Sequence, residues 1–219
     1  MVREIDLRTA GDARSDLATA FQSLDNGESM RVVWGAAAPI KLSELQEVCG
    51  ELMSWSILED GPVVHRLELC RWASPPSDIS TLFEVDHDRL DHLLEGFQQM
   101  LADKAPDAQR TFIELRTGLL HHIRVEEELL FPIVDRAPTP AIPLERLRRE
   151  HDAVKVALKD MAARLLEGAD VLPIALDLQR VIGAHNSCEE RLFYPAIDAR
   201  LPEGERLVLL RRTQQIPRR

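Results

Sequence analysis

Two segments of this 219-residue chain repeat one arrangement of groups that can bind metal. His122 is followed at +4 and +5 by Glu126 and Glu127, at +10 by Pro132 and at +13 by Asp135. His185 is followed at the same intervals by Glu189, Glu190, Pro195 and Asp198. Upstream of each segment lies another histidine, His87 for the first and His151 for the second, each followed by an aspartate. The offset between the copies is 64 residues at the first histidine and 63 at the second. A separation of four places His122 and Glu126, or His185 and Glu189, on one helix face one turn apart. An imidazole and a carboxylate so placed chelate a borderline divalent or trivalent metal ion.

The elements that must position these groups are helices. Residues 78–103, 107–135, 143–167 and 172–199 carry helical patterning, broken by Lys104-Ala105-Pro106, by Ala137-Pro138-Thr139-Pro140 and by Gly168. Long helices on short connections make antiparallel neighbours, hence an up-down-up-down four-helix bundle over 78–200, with a short tail helix at 203–214 within 201–219. In such a bundle the starts of the first and third helices lie beside the ends of the second and fourth. At about 1.5 Å per residue, His87, His122, Glu126, His151, His185 and Glu189 then share one layer of the core. Either motif alone reads as a solvated helix face with i,i+4 partners. Four imidazoles and two carboxylates at one depth of an apolar core would be costly to desolvate without metal.

Six donors suit two metals, with both carboxylates bridging and two histidines on each ion. A solvent-derived bridge would leave a position open for a small ligand. The absence of thiolate favours two iron ions over zinc or copper, and the set also suits manganese. Among the remaining candidates, Asp88 and Asp152 read equally as imidazole acceptors or as exposed residues. Phe131, Phe193, Leu130 and Leu192 are read as core packing that closes the pocket, and Cys188 as a small core filler. His121 points about 100° away from His122, while His65 and His92 read as surface residues.

Residues 78–200 resemble the hemerythrin-like family of cation-binding domains. The resemblance rests on His87, on the H-x-x-x-E-E run with L-F-P after His122, on His151, and on H-x-x-x-E-E with F-Y-P after His185. It implies metal ligation by His87, His122, Glu126, His151, His185 and Glu189. The oxygen-carrier branch has a further histidine one turn from the third-helix ligand, where this chain has Leu147 and Lys155, and an aspartate where it has Glu190. Glu190 is accordingly an alternative to Glu189. The four-His, two-Glu set is more similar to di-iron proteins linked to repair of iron–sulfur clusters.

Before residue 73 the pattern differs. Arg3–Arg8, Met30–Trp34, Ser54–Leu58 and Val63–Trp72 read as strands, and Asp12–Leu24 and Lys41–Met53 as helices, with a hairpin turn at Glu59–Pro62. The β-α-β-α-β-β order predicts a small α+β two-layer sandwich over 1–72, joined by a 73–77 linker to the mainly helical remainder. It resembles a small uncharacterised domain often fused to hemerythrin-like modules, with a sulfur-carrier-like order. The stretch Ala37-Ala38-Pro39-Ile40 lacks the carrier's cysteine.

A net charge of -10 argues against a nucleic-acid footprint. No apolar run reaches membrane-span or signal-peptide length, which predicts a cytoplasmic protein without a membrane partner. The widely spaced Cys49, Cys70 and Cys188 suggest neither disulfides nor a zinc ribbon. The functions expected are binding of, or reaction with, O2, NO or peroxide in sensing or stress defence; iron donation for cluster repair; or a metal-regulated module that docks a protein partner through the N-terminal domain.

Overall fold

The computed structural model describes residues 3–35, 40, 44–50, 53–60, 64–72, 76–105, 108–135 and 144–216. The chain divides into two compact units, Met1–Ser77 with Leu210–Arg219, and Asp78–Leu209.

The first unit holds β1 (Arg3–Asp6), α1 (Ala13–Gln22), β2 (Ser29–Gly35), α2 (Leu45–Cys49), β3 (Met53–Asp60) and β4 (Val64–Arg71). The sheet order is β1-β2-β4-β3, with β1 parallel to β2 and the other neighbours antiparallel. Register places Met30 opposite Leu69 and Val32 opposite Leu67, so one face presents these four and Trp34 to Leu17 and Phe21 of α1 and Leu45 of α2. This is the expected two-layer sandwich. The first strand is shorter than its alternation suggested: at Asp6 the side chain turns back to accept the Arg8 N–H, and the chain enters a 3-10 turn at Leu7–Thr9. A register shift between Ile57 and Glu59 carries β3 past the expected end at Leu58. The Gly61-Pro62 turn and Ala37–Pro39 lie outside the described residues.

The second unit contains α3 (Ile79–Ala102), α4 (Ala108–Val125), α5 (Phe131–Asp135), α6 (Leu144–Leu166), α7 (Leu172–Cys188) and α8 (Tyr194–Arg200). A π-helical turn, Glu126–Leu130, joins α4 to α5, and a second, Glu189–Phe193, joins α7 to α8. These make four long rods. Contacts of α3 with α4 and α7, and of α6 with α7 and α4, close the ring of an up-down-up-down bundle. The terminal helix, α9, spans Glu203–Gln215. Gly168, at φ 70°, ends the third rod in the left-handed conformation that glycine adopts without strain. No helix among the described residues is long and apolar enough to cross a membrane.

The aspartate that recurs at +13 acquires a role here. Asp198, on the fourth rod, accepts the backbone N–H groups of Ile79 (2.8 Å) and Ser80 (3.0 Å) and the Ser80 hydroxyl (2.7 Å). It satisfies donors that the first turn of α3 leaves open, while Asp78 caps Thr81 locally. Asp198→Ala is expected to lower stability by about 0.5–2 kcal/mol. An unchanged urea midpoint would show that the cap contributes nothing.

Candidate metal centre

The six predicted residues occupy positions that the bundle otherwise gives to aliphatic side chains. The buried stripe of α3 reads Ile79, Phe83, His87, Leu90, Leu94, Phe97, and that of α6 reads Leu144, Leu147, His151, Val154, Leu158, Met161. On the other two rods Leu115, Leu119 and His122 lead to Glu126, and Leu178, Ile182 and His185 lead to Glu189. Period 3.6 therefore drives the site groups inward along with the core. His151, Glu126 and Glu189 are 0 % exposed, and His87, His122 and His185 are nearly as buried.

Both π-turns begin at the buried glutamates, and both are followed by the repeated proline. Pro132 and Pro195 have no N–H, and their rings crowd the carbonyl four residues back. The helix widens instead: the N–H of Phe131 reaches back to Glu126 O, and that of Tyr194 to Glu189 O. Spacing along the buried face thus becomes five residues, from Glu126 to Phe131 and from Glu189 to Tyr194. A regular α-helix would put those residues about 140° away from the glutamates. Single π-turns of this kind recur at functional sites.

Inside the layer, His87 Nε2 lies 3.2 Å from His122 Nε2, and His151 Nε2 lies 3.1 Å from His185 Nε2. Glu126 Oε2 is 3.5 Å from His122 Nε2 and 3.2 Å from His151 Nε2. Glu189 Oε1 is 3.0 Å from His185 Nε2, and its Oε2 is 3.4 Å from His87 Nε2. Two sets of donor atoms lie within 4.8 Å of one another: Glu126, His151, His185 and Glu189 in one, and His87, His122 and Glu189 in the other.

What turns the nitrogens inward is a ring of outer carboxylates. His87 Nδ1 donates to Glu190 Oε1 (2.8 Å), His122 Nδ1 to Asp86 Oδ2 (2.9 Å), His151 Nδ1 to Glu127 Oε1 (3.0 Å) and His185 Nδ1 to Glu150 Oε2 (3.0 Å). Of the two readings open for Asp88 and Asp152, exposure is the one the structure shows. The acceptors are the residues just before His87 and His151 and just after Glu126 and Glu189, each reaching a histidine on a neighbouring rod. Residues adjacent to a buried position point along the seam between helices, a geometry that a single-helix wheel does not reveal. Glu190, considered as a stand-in for Glu189, serves as an outer acceptor. Leu192, expected in the packing shell, is half-exposed, whereas Leu130, Phe131 and Phe193 are fully buried. His121 is buried outside the cluster, and His92 is exposed.

With each Nδ1–H engaged outward, the four Nε2 lone pairs face one another and the carboxylates. While those nitrogens carry no proton, Glu126 Oε2 and Glu189 Oε1 are buried without a hydrogen-bond donor. Such a gathering of acceptors requires positive charge. Protons can supply it in part. Burial opposes charging of His87, yet the hydrogen bond and charge of Glu189, then Glu190 and Glu126, outweigh it and raise the group from 6.5 to about 9. The same contest, with Glu126 and Glu189 against burial, raises His151 to about 10. Burial likewise resists ionisation of Glu189, but His151, His185 and His87 hold it well below its usual 4.5. Metal cations satisfy the same acceptors with fixed geometry, and the imidazole–carboxylate set fits them.

The hemerythrin HHE cation binding domain matches residues 78–197. The chain belongs to this hemerythrin family. No curated protein and no solved structure matches it significantly. The hemerythrin match covers the four rods that carry the His/Glu cluster and ends one residue before Asp198.

Tyr194 joins the site beside the six His/Glu residues. Its ring is fully buried, and its hydroxyl donates to Glu126 Oε1 at 2.7 Å while lying 3.2 Å from Glu189 Oε2 and 3.1 Å from His87 Nε2. Pro195, directly after it, was the available signal, because a proline inside a helical pattern opens the turn before it.

The raised histidines fix a sign. A group whose folded value exceeds its unfolded 6.5 stabilises the fold fully below 6.5 and loses that contribution as pH rises through about 9 and 10. Melting of chelator-treated hemerythrin domain is therefore expected to shift downward from neutrality to about pH 10. Metal binding needs deprotonated imidazoles, so metal-dependent stabilisation should instead weaken as pH falls. A metal-free melting temperature that is flat from neutral to alkaline pH would contradict the charge balance described.

Proposed function

We propose that this chain is a non-haem di-iron protein that binds or reacts with O2, NO or peroxide. In this reading His87 and His122 hold one iron, His151 and His185 the other, and Glu126 and Glu189 bridge them. The observation that carries it is a cavity of about 20 Å³ whose walls include all four site imidazoles. The remaining lining is Leu90, Leu119, Ile123, Val154, Ile182 and Asn186. That volume accommodates about one water-sized group, which supports a diatomic or similarly small ligand. Five of the lining side chains are aliphatic, and Asn186 contributes the one amide. Bound iron would supply a Lewis-acidic, redox-active centre at the cavity wall. The chain's own part is to fix the imidazole rings through Glu190, Asp86, Glu127 and Glu150, and to limit access by packing.

The deep burial of the site favours chemistry in place over release of iron. Iron donation to damaged iron–sulfur clusters therefore stands second. A role in sensing or stress defence, and a protein partner for the α+β unit, belong to the same proposal as its physiological setting.

Purified protein is expected to hold two irons per chain, with oxo-bridged ferric absorption that changes rapidly on adding NO or peroxide. His122→Ala should lose most of that iron. Wild-type iron content in the variant would overturn the assignment. Rapid loss of iron to a chelator from the unmodified protein, with no response to small ligands, would move the balance to donation.

A further inference from the structure

The two halves of the site are related by the sequence duplication, and the relation fails at one position of consequence. His87 corresponds to His151, His122 to His185, Glu126 to Glu189, Asp86 to Glu150 and Glu127 to Glu190, all at the 64- or 63-residue offset. The residue that corresponds to Tyr194 is Phe131. The Phe131 ring stacks on His151, with centroids 5.3 Å apart and planes at 8°, and offers no donor atom. On the other side the Tyr194 oxygen stands 3.1 Å from His87 Nε2, 3.5 Å from His122 Nε2, 3.2 Å from Glu189 Oε2 and 2.7 Å from Glu126 Oε1.

Those separations are the spacing of neighbouring ligands around one ion. Atoms bound to a common metal at about 2.0–2.2 Å stand roughly 3 Å apart when adjacent. The set that includes His151 and His185 contains four His/Glu groups, whereas the set at His87 and His122 contains three. Tyr194 adds a further oxygen donor on that side, and the π-turn before Pro195 is what brings it onto the face of Glu189.

We propose that Tyr194 is a ligand of the metal held by His87 and His122, so that the two metal positions are chemically unlike. The inference rests on the di-iron reading. On coordination the phenol O–H bond is replaced by an oxygen–metal bond, and the proton is released to solvent. The position at His151 and His185, faced by Phe131, keeps only imidazole and carboxylate from the protein.

The chain contains a single tyrosine, so any tyrosinate signal belongs to this residue. Full-length protein loaded with ferrous iron and oxidised in air is expected to show a visible phenolate-to-iron charge-transfer band. Excitation into that band should enhance tyrosinate ring modes in resonance Raman. Tyr194→Phe should lose the band and the ring modes completely while keeping ferric absorption from the other position. Iron-loaded wild type with ferric bands and no tyrosinate modes overturns this proposal and leaves the di-iron reading standing. Protein that takes up no iron overturns both. Should Tyr194→Phe fold poorly, the wild-type Raman spectrum alone decides.

Discussion

Proton acceptors meeting in a buried interior are the constraint around which the helical unit is organised. Four imidazole nitrogens and two carboxylates converge where aliphatic packing would be expected, and their outward-facing nitrogens are already committed. Mutual repulsion of lone pairs in a low-dielectric setting is tolerable only with cationic charge at the centre. Protons on His87 and His151 are one source, and metal ions a better one, since they bind several acceptors at once. The outer carboxylates are part of the same balance. Glu127 also pairs with Lys155 and Glu150 with Arg146, which ties the imidazole ring orientation to the bundle surface.

Much of this was legible in the sequence because duplication and helical period constrain the same residues. His87, His122, Glu126, His151, His185 and Glu189 lie in register with leucines and isoleucines, so the wheel that finds the core also finds the site. Rod boundaries followed from ordinary signals such as Gly168 and the proline-containing breaks. In the α+β unit, alternation located all four strands. It misjudged their lengths where a side chain competes with the ladder, as at Asp6, or where register slips, as after Ile57.

Two things were not legible. Hydrogen bonds across a helix seam depend on which rods are neighbours and how they are staggered, so Asp86, Glu127, Glu150 and Glu190 gave no stronger signal than Asp88 and Asp152. A change of helical pitch is also invisible to a fixed-period wheel. A regular wheel carries Tyr194 away from the face of Glu189, and the backbone brings it there because the turn widens ahead of Pro195. The repeated prolines were visible as a pattern, but their effect is a matter of backbone sterics, not of side-chain chemistry.

The paired π-turns make each of these rods two segments keyed to each other by a proline. Upstream, phase is set by the aliphatic stripe; downstream, it is set by how far the widened turn advances the backbone. Were Pro195 replaced and the segment to relax to regular α-helix, everything beyond it would rotate by about one residue's worth, roughly 100°. Tyr194 would swing out of the centre and Asp198 would lose the start of α3 in the same movement. One pyrrolidine ring thereby gears the inner surroundings of the site to the clasp that closes the bundle.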